Sequence, residues 1–244
     1  MALYATIDQG NTATKLTVWR DGSVAGRVMS KTLSAEAVAA ELRRHGRPAA
    51  GIYCSVGARN EAHIEELRKA CDRLVELTHE TPLPIELRYR TAGTLGLDRV
   101  AAAAGAVAAY AGRRCLVADI GTAVTYDVVG PDAAFHGGNI APGAGMRLRS
   151  LHAYTAKLPE TSVDGELPEW GEDTETAMRC GALYGIAGEL TYYLGRLPED
   201  TLVVLTGGRA ETIAPLLNIE YVRDPDLVGK GLVSILEHNI KEQL

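Results

Sequence analysis

Two stretches of the chain carry one pattern, an aspartate two residues ahead of a glycine and six ahead of a threonine. They are Asp8-x-Gly10-Asn11-x-x-Thr14 and Asp119-x-Gly121-Thr122-x-x-Thr125. An apolar run that ends in such a turn exposes backbone N–H groups, and Gly10 and Gly121 permit positive φ and the close approach of a phosphate. Asn11, Thr12 and Thr122 add side-chain donors, and Lys15 brings a cation. The carboxylates of Asp8 and Asp119 suit hard cations such as Mg2+ or K+, which favour oxygen ligands. Taken singly, each turn reads as a plain hairpin turn. Taken as a matched pair, they read as a clamp for a nucleoside triphosphate.

A third stretch, Gly96-Leu97-Asp98-Arg99, lies where an alanine-rich helix begins. The positive end of a helix favours a negative charge at Asp98. A carboxylate there can accept the proton of a hydroxyl as it attacks a γ-phosphate. Arg99 offers a planar, permanently charged fork to an oxygen-rich substrate, and Gly96 lets the backbone approach a ligand. On spacing alone the plainer reading prevails, with Asp98 as an N-cap and Arg99 as a solvated first-turn residue.

These groups need elements to hold them. Leu3–Ile7 and Lys15–Arg20 are β-prone runs on either side of the first turn, and Asp21-Gly22 ends the second run, so a hairpin is expected. Ser34 caps a helix over Ala35–His45, with Gly46 just beyond it. Gly51–Val56 is a short strand. Asn60 caps a second helix, on which Ile64, Leu67, Cys71, Leu74 and Leu77 recur at helical spacing. Ile85–Tyr89 is extended, and Asp98 to Ala111 is a buried helix. At Cys115 the pattern restarts: strand Cys115–Ala118, the second turn, then Val124–Val129 and the turn Gly130-Pro131-Asp132. Matched turns in matched topology indicate an internal duplication, with domains expected at 1–113 and 114–244. Gly137-Gly138 and Pro142-Gly143 read as loops flanking the site. Strand Leu202–Leu205 ends at Thr206-Gly207-Gly208, ahead of a helix over Ala210–Leu217. Thr174 starts a helix on which Ala177, Gly181 and Gly185 form a small-residue seam.

Composition narrows the class. The 244 residues carry 25 Lys and Arg against 31 Asp and Glu, a net charge of −6 with no basic block, which argues against a nucleic-acid binder. Four dispersed cysteines give neither a zinc site nor a disulfide framework. The six histidines show no metal-binding spacing and are expected at the surface or in loops. No signal-peptide pattern opens the sequence, and the longest apolar stretch, Val100 to Ala111, is too short to span a bilayer, so the cytoplasm is the expected compartment and no membrane partner is expected. Hydrolase elbows, Walker loops and Rossmann glycine patterns are missing from the sequence.

The duplicated turns resemble those of the actin-like, sugar-kinase and heat-shock ATPase superfamily. More closely, Asp8-Gln9-Gly10-Asn11-Thr12-Ala13-Thr14-Lys15, Gly96-Leu97-Asp98-Arg99 and Asp119-Ile120-Gly121-Thr122-Ala123-Val124-Thr125 together resemble type III pantothenate kinases. Gly137-Gly138-Asn139-Ile140-Ala141-Pro142-Gly143, Thr155-Ala156-Lys157-Leu158-Pro159 and Thr174-x-x-Ala177-x-x-x-Gly181 follow in the same order, and the likeness extends to Gly231-Leu232. Two positions depart from the pattern: Gln9 is polar where relatives carry an aliphatic residue, and Arg90-Thr91-Ala92 replaces an Asn-Pro after Tyr89.

The resemblance implies an α/β fold of two duplicated ribonuclease-H-like lobes with a cleft between them. It implies ATP-dependent phosphorylation of pantothenate to 4'-phosphopantothenate, the first step of coenzyme A synthesis. Asp98 would be the general base, and Tyr89, Gly96, Leu97, Asp98, Arg99 and Thr174 would contact pantothenate. Asp8, Gln9, Gly10, Asn11, Thr12, Ala13, Thr14, Lys15 and Thr122 would contact ATP. Asp119 would bind a monovalent cation, K+ or NH4+, and Asp8 would serve Mg2+ through water. The Thr174 helix would form a homodimer interface, with Thr174 completing the neighbour's site. The alternative implied is a non-catalytic, nucleotide-binding accessory protein in gene regulation, for which loss of Asp8, Asp98 or Thr122 would speak; all three are present.

Overall fold

The structure is a computed structural model that describes residues 2–241. In chain order it runs β1 (Leu3–Gln9), β2 (Thr14–Arg20), β3 (Ser23–Ser30), α1 (Ala35–His45), β4 (Ala50–Ser55), α2 (Glu61–Ala70), β5 (Leu74–Glu76), β6 (Glu86–Leu87) and α3 (Leu97–Ala109). It continues with β7 (Cys115–Ile120), β8 (Ala123–Val129), β9 (Ala134–Pro142), α4 (Ala144–Ala153), α5 (Thr174–Leu194), β10 (Leu202–Thr206), α6 (Ala210–Ile213), β11 (Val222–Arg223) and α7 (Leu227–Lys241). The residues cluster into two compact units. Among the described residues, unit one holds 2–112, Val129–His136 and 226–241; unit two holds Arg113–Val128 and Gly137–Pro225. α7, last in sequence, therefore clusters with the first hundred residues.

In unit one the strand order is β3-β2-β1-β4-β5. β1 runs antiparallel to β2 and parallel to β4, and β4 runs parallel to β5. The second sheet has six strands; its β9-β8-β7-β10-β11 part repeats that order, with β7, β10 and β11 parallel, and β6 is added beside β9. The duplication read from two short motifs thus extends to whole sheets. Alternation explains the unit-one core: Ala5 and Ile7 of β1 and Leu16 and Val18 of β2 pack with Val38 and Leu42 of α1 and Ile64 and Leu67 of α2. In unit two Leu116, Ala118 and Ile120 of β7 pack with Leu183, Ile186 and Leu190 of α5.

α1 has the predicted bounds. Ser34 accepts a hydrogen bond from the Ala37 N–H, a cap worth about 1 kcal/mol, and Gly46 closes the helix at φ +95°. The Asp21-Gly22 turn has positive φ at both residues, +50° and +78°, the geometry that joins twisted strands through two residues. It leads into β3, which carries no buried residue and so leaves no apolar alternation in the sequence.

Four expectations are corrected. α2 stops at Ala70, and Leu74 lies in β5, because pairing with Gly51 of β4 outweighs helical spacing. Gly137, Gly138 and Pro142 are not loop residues but part of β9. The helix expected over Ala210–Leu217 is one turn of α6 followed by a 3-10 turn at Ala214–Leu216, which contains Pro215. His63 is not at the surface: it is buried, with its Nε2 at 2.8 Å from the Leu33 carbonyl. Among the described residues, no helix is long and apolar enough to cross a membrane.

α3 reaches its place through two glycines. A Cβ on Gly105 would stand 2.1 Å from the Leu227 carbonyl oxygen of α7, and one on Gly231 would stand 1.7 Å from that of Ala101. Only hydrogen fits at either position, so α3 and α7 touch backbone to backbone and fix where the N-terminus of α3 lies.

Candidate active site

In unit one the first turn spans Gly10–Ala13 between β1 and β2, and the Gly10 N–H donates to the Ala13 carbonyl at 3.0 Å. Gly10, Asn11 and Thr12 are exposed, and Asp8 stands just before the turn, directly across the ladder from Lys15. Asp8 is half-buried, and its carboxyl is raised to about 6. Burial is the largest cause; Lys15 pulls the value down and Asp98 pushes it up. The fold therefore brings Asp8 and Asp98, ninety residues apart in sequence, into electrostatic contact. Cys54, the register partner of Asp8 on β4, is pushed far above the usual thiol value by burial and then by these same two carboxylates, which makes it an unreactive wall.

The polar Gln9 has a structural use. Its Nε2 donates to the Ala58 carbonyl at 2.7 Å, and its Oε1 accepts from the Tyr53 hydroxyl at 2.9 Å. Tyr53 in turn accepts from the Asn60 N–H at 2.8 Å. The side chain of Gln9 is thus engaged in tying β1 to the segment ahead of α2, a use that no sequence spacing discloses.

Gly96 is the N-cap of α3, and Asp98 is its second helical residue, so Asp98 is not the N-cap. Its Oδ1 accepts the Arg99 N–H at 2.9 Å, and a Cβ on Gly96 would lie 2.5 Å from that same oxygen. Arg99 is not a solvated first-turn residue: it is only 5 % exposed. Its guanidinium carbon lies 5.9 Å from the ring centre of Tyr89 and 5.5 Å from that of Phe135. Tyr89, two residues beyond the short β6, thus joins Arg99, and Phe135 is a neighbour that the sequence did not single out. Leu97, Gly96 and Asp98 are half-buried.

In unit two the second turn is tighter, Gly121-Thr122 between β7 and β8, with the Gly121 N–H donating to the Ala123 carbonyl at 3.0 Å. Thr122 is exposed and Asp119 half-buried. Two glycines buttress this turn. A Cβ on Gly143 would stand 2.3 Å from the Gly121 carbonyl oxygen, and the Gly143 N–H donates to the Thr122 carbonyl at 3.0 Å. Gly207, at φ +89°, lies so close that a Cβ there would be 2.3 Å from Asp119 Oδ1. Pro142-Gly143 and Thr206-Gly207 are therefore packing surfaces for the turn. Thr174 is exposed at the first turn of α5, behind an Asp173 capping box closed by Thr176. On that helix Ala177 and Gly181 are exposed, whereas Gly185 meets the Arg147 guanidinium. Arg147 also binds Glu189 at 2.6 Å and the Pro142 carbonyl at 2.7 Å.

Among the described residues no group of three or more His, Cys, Asp or Glu side chains could hold a metal by itself. Single carboxylates beside the two turns, Asp8 and Asp119, fit a cation that takes its remaining oxygens from a nucleotide and from water, as Mg2+ usually does.

The family model of type III pantothenate kinase matches residues 5–196. The type III pantothenate kinase of Phocaeicola vulgatus is 37 % identical over 238 residues, covering 96 % of this chain and 98 % of the relative. Among solved structures, a conserved Baf family protein from Campylobacter jejuni is similar with a TM-score of 0.63 at 18 % identity, over 97 % of this chain and 99 % of that one. Component A of the (R)-2-hydroxyglutaryl-CoA dehydratase of Acidaminococcus fermentans gives a TM-score of 0.54 at 15 % identity, over 99 % of both chains. These neighbours carry the actin-like ATPase and sugar-kinase fold, to which the two repeated sheets conform. By the family match and the near-complete alignment, this chain belongs to the type III pantothenate kinases.

Proposed function

We propose that this protein transfers the γ-phosphoryl group of ATP to the terminal hydroxyl of pantothenate, giving 4'-phosphopantothenate and ADP, the first step of coenzyme A biosynthesis. The observation that carries the reading is Asp98 at the opening turn of α3, in electrostatic contact with Asp8 and flanked by the buried Arg99, in a chain of this family.

Asp98 accepts the proton of the pantothenate hydroxyl as its oxygen forms a bond to the γ-phosphorus; the bond to the bridging oxygen breaks, and ADP leaves. Arg99, with Tyr89, Gly96 and Leu97, binds the anionic end and backbone of pantothenate. Gly10–Ala13 of the first turn offer N–H and hydroxyl donors to ATP phosphates, and Lys15 of β2 offers a cation; the Thr122 hydroxyl of the second turn is a phosphate donor of the same kind. Gln9 shapes that turn from beneath, through its bonds to Tyr53 and Ala58. Asp8 would hold Mg2+ through water, and Asp119, beside Gly207, would hold K+ or NH4+; bound there, the cations would offset the charge on the phosphates. Thr174 reaches the pantothenate of a second copy across a homodimer, and the reaction takes place in the cytoplasm.

The test is release of ADP with and without pantothenate, in K+ and Mg2+. Pantothenate-dependent ADP release at least tenfold above background supports the reading. Nucleotide binding with no such release would favour an accessory role instead.

A further inference from the structure

Phe135 is the one phenylalanine in the chain, and it is fully buried. It belongs to the Val129–His136 segment of unit one, and two backbone links hold it against β6 and the residue that follows it, just ahead of Tyr89. Leu87 of β6 is its register partner, and the Arg88 N–H donates to its carbonyl at 2.9 Å. Its ring meets that of Tyr89 edge-on, with centroids 5.8 Å apart and planes at 70°. The Arg99 guanidinium carbon lies within 6 Å of both ring centres, 5.5 Å for Phe135 and 5.9 Å for Tyr89. At this range a cation is attracted by the ring quadrupole, more strongly when water is excluded, and Arg99 is only 5 % exposed.

We infer that Phe135 is a positioning residue for substrate: with Tyr89 it forms an aromatic bracket that fixes the Arg99 guanidinium for the carboxylate of the acceptor. This rests on the reading of Arg99 as a pantothenate contact and deepens it. Arginine forks owe their value for carboxylates to fixed bidentate geometry, and a fork docked against two adjoining rings has little of its rotamer freedom left to lose on binding. The bracket is itself held by main-chain pairing, so its geometry does not depend on the ligand. Phe135 acts through Arg99, and its loss is felt in acceptor binding rather than in the handling of ATP.

Two replacements test this in the full-length protein. Phe135→Leu removes the ring and keeps an apolar filling; 3,4,5-trifluorophenylalanine at position 135 keeps the ring's shape and drains its quadrupole. The expected result is a KM for pantothenate raised at least tenfold by Leu and about threefold by the fluorinated ring, with the KM for ATP within twofold of the parent in both. If only Phe135→Leu raises the pantothenate KM, or if both KM values move together, Phe135 merely fills space and the inference is overturned. Should Phe135→Leu fail to fold, the fluorinated protein decides alone, and an unchanged pantothenate KM overturns the inference. A parent protein that turns over no pantothenate overturns the functional reading and takes this inference with it. A parent that does so, with both variants unaltered, overturns the inference alone.

Discussion

The Cβ that Gly96 lacks would stand 2.5 Å from Oδ1 of Asp98, so the glycine keeps open the space that the proposed base occupies. The backbone at Gly96 has φ −53°, a value that alanine adopts freely. Gly96→Ala therefore costs the fold little, about 1 kcal/mol for a poorer N-cap. It must, however, turn the Asp98 carboxylate away. The expected outcome is a folded protein with kcat lowered about a hundredfold, checked by thermal melting beside the ADP-release rate. Unaltered kcat would mean that the Asp98 orientation seen here is not the working one.

Asp8 makes stability depend on pH. Its folded value of about 6 lies above the ordinary 3.8, so between these values the folded protein binds more protons than the unfolded one. Its contribution is fully favourable below about pH 4 and is lost as pH rises through 6. After allowance for partial exposure the loss at neutral pH is about 1–3 kcal/mol. Asp8→Asn should thus raise Tm by about 2–6 °C at pH 8, without nucleotide or Mg2+, and leave it little changed at pH 4. The same variant should lose most of its activity. Equal shifts in Tm at both pH values would contradict the burial argument.

The role proposed for Asp119 is tested by the choice of cation. With ATP and pantothenate saturating, replacing K+ by Na+ should lower the rate at least tenfold. Asp119→Asn should be slow in both salts. Gly207→Ala, which puts a methyl group against Asp119 Oδ1 at a positive φ, should raise the K+ concentration needed for half-maximal rate. A parent enzyme equally fast in Na+ alone would remove Asp119 from the mechanism.

What the sequence disclosed was local. Ser34 and Gly46 mark the ends of α1 because capping acts over a few residues. The paired Asp-x-Gly turns mark the two repeats because each must bend a strand back on its neighbour, and the two sheets share one strand order. What stayed hidden depends on partners far along the chain. Leu74 leaves the helical pattern because β4 offers it a ladder. Gly105 and Gly231 look like poor helix residues until α3 and α7 are seen to touch through them. Phe135 is an ordinary apolar residue in sequence, and only the β6–β9 pairing sets it beside Tyr89 and Arg99. Asp98 stood out as a candidate base through the Gly96-Leu97-Asp98-Arg99 tetrapeptide; its electrostatic link to Asp8 did not, because ninety residues of chain lie between them.

The central claim is that Asp98 takes the proton. Asp98→Asn preserves size and removes the base, so pantothenate-dependent ADP release in K+ and Mg2+ should fall by about 10³ while ATP affinity stays within a few-fold of the parent. Release by the asparagine variant at the parent's rate would contradict it.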